Sequence, residues 1–501
     1  MDARRRFHWS LARAQPRCVS LCTAPLQLDL SLITHTHAAT GALVGSVPNL
    51  GAEHTHAAIA AAAAAFPAWS AVPGKRKGAV LRRWYDLLLA HTDDLARIMT
   101  AENGKPLPES RGEIQYAADY LMWFAEECTR GLDGETLPCV ALGHRGFTLR
   151  QPVGVCAAMT PANFPTAMLA RKAAAALAAG CTVVAKPSEA TPFSALALAD
   201  VGLRAGIPPG VLSVITGDAA PISEAMCSSE TVRKVTFTGS TRVGKLLVQA
   251  CSSTLKRTSM ELGGMAPFLV FDDADVDAAV TGVMSAKFRN AGQTCISANR
   301  FYVADCVYDA FVAALKSKMV ATLKMGPGDV AGNNVGPLIN AAAVAKCQRH
   351  VDDCVAKGGR IILGPEAFVK TDNAALLSKG HFFAPTLIVD VPPDALPCVE
   401  ETFGPVVALV RMRPEDDEAA FLARANATDA GLAAYVFTRD ASRLFRVAER
   451  LQAGMVGLNS GIASASAAAP FGGVRASGHG REGSKHGIHE YTEMKYLSMA
   501  L

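Results

Sequence analysis

A chain of 501 residues, half of them hydrophobic, can bury several cores, which excludes a peptide binder or a disordered tail and points to two or three domains. The formal net charge is +4, and Arg4, Arg5, Arg6, Arg13 and Arg17 against Asp2 account for it within the first 26 residues. The balanced remainder lacks the basic face that nucleic acid requires, and the 13 cysteines, odd in number and without CxxC or Cys/His metal spacing, suit a reducing compartment with no disulfide framework and no zinc.

Residues 1–26, rich in arginine and carrying Ser10 and Ser20, read as a targeting presequence for the mitochondrial matrix, with a disordered start of a cytoplasmic protein as the alternative. No apolar run reaches the roughly 18 residues of a membrane helix, so no membrane partner is expected. The alanine run Ala57 to Ala65 predicts a helix that ends near Pro67. Leu81, Trp84, Tyr85, Leu88 and Leu89 form an amphipathic stripe, and Gly104-Lys105-Pro106 closes that helical region. A further helix is predicted from about Glu109 to Arg130. Short strand and helix units follow: Val153 to Ala158, a helix from about Ala167 to Ala179 stopped by Gly180, Thr182 to Ala185, a helix through Leu196 and Leu198, and Val211 to Ile215. A second set runs from Ala266 to about Val456. Strands alternating with helices of ten to fifteen residues predict an α/β fold of two lobes, each a parallel sheet wrapped by helices, with a cleft between them.

The chemistry centres on Gly292-Gln293-Thr294-Cys295-Ile296-Ser297-Ala298-Asn299-Arg300, one cysteine among small and polar residues. A thiolate attacks carbonyl carbon when the backbone admits the substrate and nearby donors receive the oxyanion. A lone cysteine is more often an inert core residue. Its company upstream changes that balance: Met260-Glu261-Leu262-Gly263-Gly264 places a carboxylate before paired glycines, and Pro161-Ala162-Asn163-Phe164-Pro165 places an amide between two prolines. In these three segments, and in their order, the chain resembles the aldehyde dehydrogenase superfamily, over about residues 38 to 499.

The resemblance implies catalytic roles for Cys295 as nucleophile, Glu261 as general base and Asn163 as oxyanion donor. It also implies a nicotinamide dinucleotide. Phe237-Thr238-Gly239-Ser240-Thr241-Arg242-Val243-Gly244 matches the family's pyrophosphate segment, and follows a β-rich run where a helix N-terminus can meet phosphate. Lys186-Pro187-Ser188-Glu189 matches the segment that reaches the adenosine ribose; a carboxylate at Glu189 opposes a 2′-phosphate, which favours NAD with NADP as the alternative. Glu400-Glu401-Thr402-Phe403-Gly404-Pro405 assigns Glu401 and Phe403 to the nicotinamide end, and Leu262 joins the cofactor set. The implied organisation is an aldehyde-dehydrogenase-like fold: a cofactor domain over 27–134 and 153–265, a catalytic thiol domain over 266–458, an oligomerisation β-element over 135–152 and 484–501, and a substrate loop over 459–483. The closing strand-like Glu490 to Leu497 resembles the family's oligomerising tail, so a homodimer or homotetramer is expected. The family signal NPxTG is kept here only as His37-Ala38-Ala39-Thr40-Gly41, and residues 1–26 replace the hairpin that relatives carry before it.

The substrate expectation is an aldehyde carrying a carboxylate. Arg171 and Arg289 lie on helical runs near the asparagine and cysteine segments, and guanidiniums pair with carboxylates in a planar fork; each alone also reads as an ordinary helix-surface arginine. Lys287-Phe288-Arg289-Asn290, Arg171-Lys172 and the string from Pro470 through Gly487 resemble succinate-semialdehyde dehydrogenases, which implies a serine before Pro470, either Ser464 or Ser466. Glutaric semialdehyde, a broad set of aldehydes, and a non-catalytic protein on the same fold are the competing readings. Ala162 departs from the family's tryptophan, which predicts a cavity unless neighbours fill it.

Overall fold

The computed structural model describes residues 31–138, 142–369, 374–375, 377–464 and 466–501; the arginine-rich segment 1–26 lies outside them. Strands that read as buried apolar runs assemble into two sheets. In the first, the order is Gly478–His479, Arg257–Glu261, Val232–Thr238, Val155–Met159, Thr182–Lys186, Leu212–Val214. All neighbours are parallel except the Gly478–His479 edge. The chain enters at Val155–Met159, winds out to Leu212–Val214, then returns to the opposite side through Val232–Thr238. Such a reversal opens a crevice outside the carboxyl ends of the two strands that flank it. The loop with Asn163 leaves one of those ends and the turn with Gly239 leaves the other.

The second sheet runs Arg360–Leu363, Thr386–Val389, Val406–Met412, Ala298–Ala304, Ala266–Val270, Ala433–Phe437, Met455–Leu458, antiparallel only at the Arg360–Leu363 edge. Its centre is aromatic: Phe268 stacks on Phe437 with ring centroids 4.8 Å apart. Glu261 ends a strand of the first sheet and Ala266 begins one of the second. Carboxyl ends of one sheet therefore face amino ends of the other across a four-residue link. In a third, small sheet His144–Pro152 is central, with Thr492–Ala500 antiparallel on one side and Thr136–Leu137 on the other.

Two boundaries differ from the sequence reading. The alanine-rich helix spans Ala52–Ser70 and runs through Pro67. Proline lacks one N–H, but a single missing bond near a helix end is tolerated when packing holds the last turn. Here Trp69 is buried and its Nε1 donates to the Leu177 carbonyl at 3.2 Å. The His37 to Gly41 segment forms the turn of a hairpin, with the strand Leu32–Thr36 before it and Leu43–Pro48 after it, so a strand does precede that signal. Gly104 caps the helix Thr92–Asn103 in the left-handed region, at φ 84°.

The helix Pro165–Ala179 is buried along its whole length, and its small alanines let it lie close between the sheet and the helix Leu107–Arg130. Glu113, on that neighbouring helix, caps it: one carboxylate oxygen accepts from the Thr166 and Ala167 N–H groups at 2.9 and 3.1 Å. The other oxygen pairs with the buried Lys105 ammonium, which also donates to the Asn163 carbonyl at 2.7 Å. A charge buried with its partner removed is strongly destabilising. Glu113→Gln strands Lys105 and should lower unfolding stability by about 3–5 kcal/mol. Denaturant unfolding reads this as an earlier midpoint; an unchanged midpoint would show that Lys105 finds other solvation.

Candidate active site at the junction of the two sheets

The turn before Cys295 is backbone held in an unfavourable region. Asn290, Ala291 and Gly292 all have positive φ, at 51°, 53° and 79°, a conformation that costs energy for the first two and persists only when surroundings enforce it. The enforcement comes from both lobes. Asn290 N–H donates to Glu109 at 2.7 Å, and its side-chain amide donates to the Asn163 carbonyl at 3.0 Å. Gln293 Nε2 donates to the Asn290 carbonyl at 3.1 Å, while its Oε1 accepts from Ile339 N–H at 2.8 Å. Gly292 is required by contact as well as by φ, because a Cβ there would lie 2.3 Å from the Gly404 carbonyl oxygen. The thiol turn thus docks directly on the Glu401–Gly404 segment.

Asn163 and Glu261 converge on the same place. Asn163 Nδ2 donates to the Gln293 carbonyl at 3.1 Å and its Oδ1 accepts from Phe164 N–H at 3.1 Å. A primary amide has two N–H bonds, so one remains for a ligand. Glu261 pairs in register with Thr238 and Gly478, and three residues on, Gly264 abuts the cysteine: a Cβ on it would lie 2.5 Å from the Cys295 carbonyl oxygen. Gly264 N–H also donates to Glu401 at 3.2 Å. Ala162 is half-exposed and its carbonyl accepts from Asn103 Nδ2 at 2.9 Å. The expected closed cavity is therefore not implied, since position 162 already borders open space.

The electrostatics follow from loss of water. Burial pushes the Cys295 thiol up to about 12; Arg171 and Arg289 oppose the rise, and Glu261 and Glu401 add to it. Burial, then the Glu482 charge, drives Glu261 well above the usual carboxylate range, against the pull of Arg171, Lys172 and Arg481. Glu261 Oε2 has no hydrogen-bond partner among the described residues. Glu482 is equally buried, which alone would raise it, but ion pairs to Arg171 and Lys172 hold it below the usual range. Glu401 is pushed up to about 7 by burial, opposed by the Gly264 N–H and by Lys346 and Lys287.

The remaining sequence-predicted residues fall around this centre. Val232–Thr238 ends in Gly239, whose N–H donates to the Glu261 carbonyl at 3.0 Å, and Ser240 caps the helix Thr241–Cys251 by accepting from Val243 N–H at 3.4 Å. Gly244 lies against the Leu262 side chain, and Phe237 packs on Gly239. The Thr238 hydroxyl is buried without a hydrogen-bond partner. Lys186 ends its strand and pairs with Glu189, while the Ser188 hydroxyl accepts from Ala190 N–H at 3.2 Å. Phe403 is half-buried at φ 57°. Arg171 is fully buried, 4.2 Å from the Phe471 ring centroid, and is not the helix-surface arginine that its sequence position also allowed. Arg289 is exposed, lies 5.2 Å from the Phe164 ring centroid, and lines a small cavity with Thr294, Ile296 and Tyr435. The buried Ser464 hydroxyl has no hydrogen-bond partner among the described residues, whereas the Ser466 hydroxyl accepts from Ala468 N–H at 3.0 Å.

Sequence reasoning missed Lys105, Glu109, Glu113, Asn290, Lys172 and Glu482 as supports of the site. One signal was available for two of them: Glu109 and Glu113 are carboxylates four residues apart at the start of a helix whose later positions bury apolar side chains.

A thiol, a dehydrated carboxyl and an amide with one hydrogen to spare stand together at the crevice of the first sheet, the setting of an oxidoreductase. The family model described as the aldehyde dehydrogenase family matches residues 29–497, and the chain belongs to that family. It is 51% identical over 466 residues to the NADP(+) succinate-semialdehyde dehydrogenase GabD of Escherichia coli K12, covering 93% of this chain and 94% of that one. It is 52% identical to the glutarate-semialdehyde dehydrogenase of Pseudomonas aeruginosa, covering 92% of each chain. The crystal structure of succinate-semialdehyde dehydrogenase from Burkholderia pseudomallei superposes with a TM-score of 0.90 at 49% identity, over 94% of this chain and 95% of that one. Among the described residues, no helix is long and apolar enough to cross a membrane.

Because the resting thiol is held protonated, alkylation of Cys295 in the free protein should be slow at pH 7 and climb about tenfold per pH unit from pH 8 to 10. Peptide mass spectrometry separates it from the exposed Cys306; a rate that levels off below pH 8 would mean that a thiolate is already present.

Proposed function

We propose that the protein oxidises succinic semialdehyde to succinate with NAD as hydride acceptor. What supports this is positive charge about the thiol: the Arg171 and Arg289 guanidiniums both pull the Cys295 thiol down, Arg289 lines a small cavity with Thr294 beside it, and charge of that sign suits an aldehyde that carries a carboxylate. Arg171 is shared with Glu482 but keeps Nη1 without a hydrogen-bond partner, and the Ser464 hydroxyl is equally uncommitted. Glutaric semialdehyde is the second reading, since one extra methylene changes binding by only about 1–3 kcal/mol and the similar Pseudomonas aeruginosa protein bears that name.

The residues fit a nicotinamide dinucleotide. The buried, unpartnered Thr238 hydroxyl and the first turn of the helix after Ser240 stand at the crevice of the first sheet, where phosphate is favoured. We assign Phe237, Thr238, Gly239, Ser240 and Gly244 to the pyrophosphate side, Lys186, Ser188 and Glu189 to the adenosine ribose, and Leu262, Glu401 and Phe403 to the nicotinamide end. When bound, the cofactor supplies the hydride acceptor. Cys295 Sγ adds to the aldehyde carbon once its proton is lost, and the oxyanion is held by the free Asn163 amide hydrogen and the Cys295 N–H, each donor worth roughly 3 kcal/mol. After oxidation the acyl group sits on Sγ as a thioester. Glu261, deprotonated, takes a proton from the water that releases the acid. The exposed edge strand Thr492–Ala500, with Met494, Tyr496 and Met499 on view, is the proposed homo-oligomer contact.

Purified protein should reduce NAD with succinic semialdehyde far faster than with an uncharged aldehyde of equal length. Arg289→Leu is the cleaner probe than an Arg171 variant, because Arg171 also neutralises Glu482. It should cut kcat/KM for succinic semialdehyde by about tenfold to a thousandfold, a loss on the order of 2–4 kcal/mol, and leave the uncharged aldehyde nearly unchanged. Equal losses on both substrates would mean that Arg289 holds the fold and not the ligand.

For the cofactor, Glu189→Ser removes the carboxylate that faces the ribose and should raise the NADP to NAD ratio of kcat/KM. If the ratio stays put, discrimination lies elsewhere, and the Lys186–Glu189 pair already neutralises the charge.

A further inference from the structure

Asn299 follows Cys295 by four residues and is the second residue of the strand Ala298–Ala304. The ladder to Ala266–Val270 skips it: Ala266 pairs with Ala298, and the next pair is Pro267 with Arg300. On the other side, pairing with Val406–Met412 begins only at Phe301. Asn299 is thus the extra residue of a β-bulge, a feature that re-aims a side chain. Arg300, next along, is occupied by other backbone: Nε donates to the Met265 carbonyl at 2.8 Å, and Nη1 and Nη2 to the Arg424 and Ala425 carbonyls at 2.9 and 2.7 Å.

The Asn299 amide is turned to the segment that leads into Val406–Met412. Its Nδ2 donates to the Pro397 carbonyl and, at 3.1 Å, to the Glu400 carbonyl, while Oδ1 accepts from Thr402 N–H at 2.9 Å. Both N–H bonds of a buried amide, 3% exposed, and its oxygen are committed to this one segment. The Glu400 carbonyl and the Thr402 N–H belong to the two peptide groups on either side of Glu401. The Thr402 hydroxyl is held as well, 3.1 Å from Nδ1 of the buried His350. Thr402 and Gly404 are buried, while Glu401 and Phe403 between and beside them are half-buried. Glu401 then accepts from Gly264 N–H at 3.2 Å, and Gly264 abuts the Cys295 carbonyl oxygen.

We infer that Asn299 is a positioning residue for the nicotinamide end of the cofactor site: its amide grips the peptide groups flanking Glu401 and holds the segment of Glu401 and Phe403 in fixed register with the thiol four residues before it. The inference rests on the assignment of Glu401 and Phe403 to the cofactor. Asn299 itself touches neither cofactor nor substrate. A segment released by about an ångström presents its carboxylate and ring in the wrong place, whereas the residues assigned to pyrophosphate and adenosine stand on the first sheet and keep theirs.

The test is binding to the resting protein of NADH, read by nicotinamide fluorescence, and of ADP-ribose, which lacks the nicotinamide, read by titration calorimetry. The proteins are wild type, Asn299→Asp, Asn299→Leu, Glu401→Gln and Phe403→Leu. Asn299→Asp keeps the acceptor for Thr402 N–H and loses both donors; Asn299→Leu, of similar volume, loses all three bonds. Asn299→Asp, the milder change, decides alone if Asn299→Leu fails to fold. NADH should bind about fivefold to thirtyfold more weakly in the Asn299 variants, with ADP-ribose within about twofold of wild type. Equal losses for NADH and ADP-ribose overturn the inference as a merely structural effect. Unchanged NADH binding in the Asn299 variants, with weakened binding in Glu401→Gln or Phe403→Leu, overturns the inference alone. NADH binding unchanged in both Glu401→Gln and Phe403→Leu removes the cofactor assignment of those residues and the inference with it.

Discussion

Four buried side chains, Arg171, Lys172, Glu482 and Glu261, share one dehydrated space, and their charge balance governs the site. Glu482 takes both cations as ion partners. Glu261 is left beside a negative neighbour with no hydrogen bond to one of its oxygens among the described residues, which favours its neutral form. Uncompensated buried charge is what such an interior least tolerates. The proposed nucleophile thus begins as a thiol, and the proposed base is drawn toward its acid form.

This arrangement couples residues far apart in the chain. Arg171 lowers both Glu261 and Cys295 while it holds Glu482. A change at Arg171 therefore reaches Glu261 and Cys295 together, whereas Arg289, exposed and outside the cluster, acts on Cys295 without touching Glu482. The backbone adds a second coupling. Positive φ at Asn290, Ala291 and Phe403 stores strain on both sides of the contact between Gly292 and Gly404. The hydrogen bonds of Asn290, Gln293 and Glu109 keep that strain from relaxing.

The proposed nucleophile is thereby held in its protonated form at rest. Proton loss from Cys295 is opposed chiefly by burial, and by Glu261 and Glu401 where these are ionised. Any ligand that brings positive charge near the sulfur, or displaces negative charge from it, favours the thiolate.

Much of the fold was legible in the sequence because the signals are local. Alternation of buried strands with helices is written in hydrophobic spacing, and Gly104 and Gly180 stop their helices as glycines do. The segments around Asn163, Glu261 and Cys295 stood out because their residue types and order resemble the aldehyde dehydrogenase family, to which the chain belongs. Pro67 misled because the packing that carries the helix past it comes from Trp69 reaching Leu177, more than a hundred residues away. For the same reason only the tertiary structure decided that Arg171 answers to Glu482, that Lys105 and Glu113 pin the Asn163 loop, and that Ala162 borders open space. A sequence specifies what each residue can do within a turn or two of its own backbone. Which charge meets which, once water is excluded, is set by how distant elements pack.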